Sequence, residues 1–259
     1  MPTSAITVLL EWTFSPSDYF EEPITISRDD YSLIIESGTI RATVAAATFD
    51  ADPSMRTRLH ESLIDRMHGI QLINHKPFEL SKPNLIRVCP DGRRDIFVEP
   101  EGGKLTLTGG VVDFRVTDKD GNLLHDSKRE RLDRKRNLAD LVNKYRPNDV
   151  LLKTLLASYD ASTRDPNNEL VHLYEIRESL AARFGGETET RTALGLPASD
   201  WSRFGQLCNS EPLRQGRHRG KSVGNLRDAT EGELTEARSI ARSMIEAYLN
   251  YREQGNVAP

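Results

Sequence analysis

Over residues 1–125 the apolar side chains of this chain come in short alternating runs, interrupted every few residues by turn-forming pairs. From Asp149 onward they recur at steps of three and four. A period of two sends neighbouring side chains to opposite faces of a strand, whereas a period near 3.6 gathers them into one stripe along a helix. One chain therefore has to build two kinds of core, and 259 residues are enough for both. The predicted class is α+β: a mainly antiparallel β domain carrying one helix over 1–125, a charged helical connector over 126–148, and an all-α helical bundle over 149–259.

In the first part, strands are predicted at Thr7–Phe14, Ile24–Ser27, Ser32–Glu36 and Thr39–Ala45, the last two joined across Ser37-Gly38. Pro53 to Ile73 follows as a helix, because Met55, Leu59, Leu63, Met67 and Ile70 make one stripe, with Asp52-Pro53 as cap and first-turn proline. Strand signals return at Pro77–Leu80, Leu85–Cys89, Asp95–Glu99, Lys104–Thr108 and Val111–Thr117, separated by glycine-containing turns. Ser127 to Asn137 is dense in mixed charge and leads into Leu138, Leu141, Val142 and Tyr145 at helical spacing before Pro147.

The bundle is predicted as Val150–Ser162; a second helix opened by Asp165-Pro166 and stopped by Gly185-Gly186; a short one over Glu187–Leu194; one capped by Ser199 and ending at Pro212; and a last one whose Thr230-Glu-Gly-Glu233 start is a capping box.

Charge is divided unevenly. Residues 1–125 hold 13 basic and 19 acidic side chains, residues 126–259 hold 22 and 20, so a polyanionic partner belongs with the second part. No apolar run approaches the ~18 residues of a membrane span, and Met1 to Leu10 has no basic lead or small-residue cleavage site. Cys89 and Cys208 are too few and too far apart for a metal pattern. A cytoplasmic setting is expected, with both thiols packed rather than paired and with no membrane, metal or cofactor. His60, His68 and His75 have no partner carboxylates at ligand spacing, and Glu21, Glu22, Asp29 and Asp30 read as solvated turn acids.

The stretch with chemistry in it runs from Asn209 to Lys221. Arg214, Arg217, His218, Arg219 and Lys221 stand together with no acid between Pro212 and Asp228. A histidine moves a proton near neutral pH, arginines hold phosphate by paired hydrogen bonds, and an amide orients either. Such a set suits phosphodiester cleavage through attack by an RNA 2′-hydroxyl, which needs proton transfer and charge stabilisation but no metal. Gly216 and Gly220 are expected to let the backbone approach a phosphate.

With these residues between two bundle helices, 149–254 resembles a HEPN domain (higher eukaryotes and prokaryotes nucleotide-binding). The resemblance implies a metal-independent endoribonuclease acting as a homodimer, in an arrangement similar to that of prokaryotic antiviral and toxin effectors. The β domain would then be a sensor or specificity module open to a protein or ligand trigger. His218 matches the family's histidine, Arg214 its arginine and Gln215 the polar position that follows. Three residues separate Arg214 from His218, one fewer than the family's usual gap. Asn209, Gln215, Arg217, Arg219 and Lys221 are the expected substrate-binding residues, with Arg214 and His218 catalytic. Two alternatives stand beside it: a non-catalytic dimeric interaction module whose basic loop binds nucleic acid or a nucleotide phosphate, and a structural loop with the ligand site in the β domain.

Overall fold

A computed structural model describes residues 6–89, 91, 93–97, 115–117, 123–217, 219–222 and 224–255. The chain divides into two compact units, one formed by Met1–Ile64 with Phe78–Asp133, the other by Asp65–Pro77 with Arg134–Pro259.

The first unit is built on antiparallel strands β1 (Thr7–Ser15), β2 (Ile24–Ser27), β3 (Tyr31–Glu36), β4 (Thr39–Ala45), β5 (Glu79–Leu80), β6 (Asn84–Val88) and β7 (Arg94–Phe97), between which lie the helices α1 (Ala46–Ala51) and α2 (Met55–Asn74). The sheet runs β2-β3-β4-β1-β6-β7, and β5 pairs with the end of β1. A further hairpin pairs β8 (Arg115–Thr117) with β9 (Leu123–Asp126). Alternation sets the buried face: Val8, Leu10, Trp12 and Phe14 of β1 lie beside Ile40, Ala42 and Val44 of β4. Met55, Leu59 and Leu63 of α2 are buried in the same unit, and the Trp12 indole N–H donates to Nδ1 of His60 at 3.1 Å.

Several boundaries depart from expectation. Pro53 lies in a turn ahead of α2, where Asp52 accepts from the Ser54 amide at 2.9 Å, so the helix begins at Met55. The short helix α1 was not foreseen. The strand predicted over Lys104–Thr108 and the start of Val111–Thr117 lie outside the described residues.

The second unit takes the end of α2 and of α3 (Ser127–Tyr145), then α4 (Val150–Arg164), α5 (Glu169–Phe184), α6 (Glu187–Leu194), α7 (Ala198–Gly205) and α8 (Glu231–Glu253). Leu152, Leu155, Leu156, Leu170, Leu173, Ile176, Leu180, Phe204, Ile245 and Leu249 make one continuous core, each contributing about 1.5–3 kcal/mol of burial. The charged connector is the helix α3, whose Leu138 and Val142 join that core. At Gly69 the backbones of α2 and α3 come so close that a Cβ would sit 2.5 Å from Cα of Ala139.

Polar residues fix the helix ends. Asp149, nearly fully buried, caps α4 by accepting from the Leu152 amide at 2.9 Å, and also accepts from the Tyr248 hydroxyl at 2.9 Å and pairs with Arg252. Thr230 and Glu233 form the expected capping box at α8. Two expected starts are corrected. Pro166–Asn168 is a separate 3-10 turn, so α5 begins at Glu169, and α7 is preceded by Pro197 while the Ser199 hydroxyl donates to Asp200 instead of capping.

Candidate functional site

The basic segment follows an irregularity in the helix before it. Beyond Gly205 the chain continues as a π-helix over Gln206–Ser210, closed by the Glu211 amide bonding to the Gln206 carbonyl at 2.8 Å. The wider turn buries both Leu207 and Cys208, and the Cys208 carbonyl accepts from the Arg217 amide at 3.0 Å. The other ends of the loop are tied as well. Arg214 donates its amide to the Arg227 carbonyl at 2.9 Å, Arg227 donates to Pro212 at 3.1 Å, and Leu213 is buried between them.

Each expected site residue has a definite surrounding within this loop, His218 excepted, which lies outside the described residues together with the Lys221 side chain. Arg214 is 63% exposed, its Nε 3.9 Å from Asp228. Gln215 accepts from the Ala229 amide at 3.0 Å, so its side chain holds the return of the loop. Arg217 lies over the Tyr174 ring, 4.8 Å from its centroid, and bonds Glu178 at 2.5 Å. Arg219 donates from Nε to the Gly216 carbonyl at 3.0 Å and from its terminal nitrogen to Asn168. Asn209 is half-buried in the π-helix and makes no side-chain hydrogen bond to another described residue.

Two expectations about this loop change. Gly216 is buried, and a Cβ there would meet the Cys208 and Leu213 carbonyl oxygens at 3.3 Å, so this glycine serves close packing of the loop and not approach to a ligand. Arg217 and Arg219 are engaged in holding the loop against α5 and the turn before it, which leaves Arg214 the most exposed arginine of the described cluster. The reason is local composition: α5 presents Glu178 one turn from Tyr174, a ready partner for a guanidinium.

Electrostatics around the loop are those of a satisfied surface. The Arg227 guanidinium and the Thr230 amide hold the Glu233 carboxyl down to about 2. Burial pushes the Cys208 thiol well above its ordinary range, which removes it as a nucleophile.

A second group of ionisable side chains surrounds a cavity of about 430 Å³, lined by His68, Arg146, Ala157, Asp160, Ala161, Arg164, Asp165 and His172. The chain position of these residues spans α2, the turn after α3, α4 and α5, so no local motif announces them, and His68 read as an ordinary histidine from sequence. Burial first and the Arg146 charge second push the His68 imidazole down to about 4. Among the described residues no three ligand-type side chains cluster as a metal site would need, and no helix is long and apolar enough to cross a membrane. Compared with family models, with curated proteins and with solved structures, the chain matches none of them.

Proposed function

We propose that the helical unit is a HEPN-like module that cleaves RNA without a metal, His218 moving the proton and Arg214 meeting the phosphate. The observation that carries this reading is the anchoring on both sides of position 218. Arg217 is fixed on Tyr174 and Glu178, and Arg219 on Asn168 and the Gly216 carbonyl. A proton-transfer group is effective when the segment that carries it is positioned, and the residues before and after position 218 in the sequence are both engaged by described neighbours. The exposed Arg214 guanidinium, loosely paired, supplies a fork for a phosphate.

In this reading the 2′-hydroxyl oxygen bonds to phosphorus as its proton passes to neutral His218. The bond to the 5′-oxygen breaks, that oxygen takes a proton from water, and the protonated His218 gives its own proton back to solvent. The products are a 2′,3′-cyclic phosphate and a 5′-hydroxyl, with Arg214 balancing the charge that grows on the phosphoryl oxygens. By the same resemblance a second copy of the chain brings a second loop, and the β-rich unit serves as the trigger or specificity module. The engagement of Arg217 and Arg219 favours one other reading, a non-catalytic module in which the loop retains RNA or a nucleotide phosphate through Arg214.

The test is incubation of labelled transfer RNA and mixed cellular RNA with the protein in EDTA, beside His218→Ala and Arg214→Ala. Fragments from the wild type that vanish in both variants support cleavage at this loop. RNA retained but uncut by the wild type, with retention lost in Arg214→Ala and weakened by salt, supports the binding module. Cleavage that persists in His218→Ala rejects the assignment.

A further inference from the structure

The cavity beside α4 carries a chemistry that the loop reading does not use. Its floor is Ala157 and Ala161, one helical turn apart, and its walls are the cations Arg146 and Arg164, the histidines His68 and His172, and the acids Asp160 and Asp165. At about 430 Å³ it falls within the range of roughly 300–1,000 Å³ typical of small-molecule sites.

The acids in this wall are already answered. Asp160 accepts from the Gln71 amide at 2.7 Å and from Arg164 Nε at 2.7 Å. Asp165 accepts from Asn168 at 2.7 Å, with His172 3.4 Å away. Arg146 differs: its counter-ion, Asp65, lies at 2.5 Å but outside the cavity lining. Its Nε is buried and has no hydrogen-bond partner among the described residues. A buried N–H without an acceptor costs about 1–3 kcal/mol, so the Arg146 cation is only partly satisfied by the described residues around it.

The local field has the same sign. Burial first and the Arg146 charge second keep the His68 imidazole neutral; the influence of Arg146 there exceeds that of Asp160, and Arg164 acts in the same direction as Arg146. Gln71 Nε2 lies within hydrogen-bond distance of the Lys76 carbonyl, Asp160 and Thr163, and Gln71 Oε1 lies 3.3 Å from His68 Nδ1. The small alanine floor leaves room for the body of a ligand, and among the described residues no Phe, Tyr or Trp lines the cavity.

We propose that this cavity binds a small-molecule oxyanion, a carboxylate or a phosphate, between Arg146 and Arg164, its carbon body lying on Ala157 and Ala161. Arginine suits either anion through its planar fork. The site uses none of the loop's residues and stands whether or not the protein cuts RNA.

The test follows the side-chain N–H resonances of arginine and the ring resonances of His68 and His172 by NMR while inorganic phosphate or acetate is added. Ala161→Leu fills the floor without altering charge, and Arg164→Gln removes one partly exposed cation; far-UV circular dichroism checks that both fold. Saturable shifts at Arg146 and His68 are expected, with affinity falling about tenfold or more in each variant. Response to phosphate alone assigns a phosphate-bearing ligand, to acetate alone a carboxylate, and to both the shared oxyanion chemistry. No saturable shift with either probe, equal affinity in folded Ala161→Leu, or binding abolished instead by Arg214→Ala would overturn the proposal.

Discussion

Acid should destabilise the helical unit through one residue, His68. Free imidazole titrates at 6.5, and in the folded protein burial, with the Arg146 charge behind it, lowers that value to about 4. Below pH 6.5 the unfolded chain therefore takes up a proton that the folded chain refuses. Stability is full above 6.5 and falls as pH drops toward 4. Over that interval, at ~1.36 kcal/mol for each pH unit, the loss amounts to about 3 kcal/mol, most of it complete by pH 4.5. A carboxyl held below its ordinary range, such as Glu233, begins to cost stability only as pH falls through about 4.5, where the unfolded chain takes up its proton, so the loss between 6.5 and 4.5 is read at His68. The measurement is urea unfolding at pH 7 and pH 4.5 in a Trp12→Phe background, where Trp201 reports the helical unit alone. His68→Gln should remove about 2–3 kcal/mol of the difference between the two pH values. An equal pH dependence with and without His68 would show that this imidazole does not set the acid sensitivity.

Three further outcomes are expected. Gly69→Ala places a methyl against the backbone of Ala139 and should cost at least the ~1–3 kcal/mol of an overpacked core, read as a lower melting temperature of the helical unit. Asp149→Ala removes a helix cap, the acceptor of the Tyr248 hydroxyl and the partner of Arg252, and should cost about 3–5 kcal/mol in urea unfolding, with Asp149→Asn recovering the part due to the cap. Glu233→Gln should cost about 1 kcal/mol at pH 7. Because Arg227 and the Thr230 amide depress that carboxyl to about 2, its contribution is present above 4.5 and lost as pH falls toward 2, so the two proteins should converge there.

The sheet was legible because each strand signal was local. Ser37 and Gly38 both take positive φ, 44° and 82°, so the two-residue connection between β3 and β4 has the geometry that their sequence suggests. Helix α6 was equally readable from Gly195, which ends it in the left-handed region. The π-helix at Gln206–Ser210 had no such signature. It arises because Leu207 and Cys208 are both drawn into the core, a demand of packing and not of local spacing. The basic loop could be found from composition, yet the engagement of Arg217 by Tyr174 and Glu178 could not, since the partners stand about forty positions earlier on α5. The cavity was hidden for the same reason: His68, Arg146 and His172 meet only once α2, α4 and α5 have packed.

Whether the loop cuts RNA by the proposed 2′-hydroxyl attack is decided by end-group analysis on an RNA oligonucleotide and its all-deoxy counterpart, with EDTA present. RNA fragments with cyclic-phosphate and 5′-hydroxyl ends are expected, with no cleavage of the deoxy strand and no fragments from His218→Ala. Cleavage of both strands, or RNA fragments with 5′-phosphate ends, would contradict it.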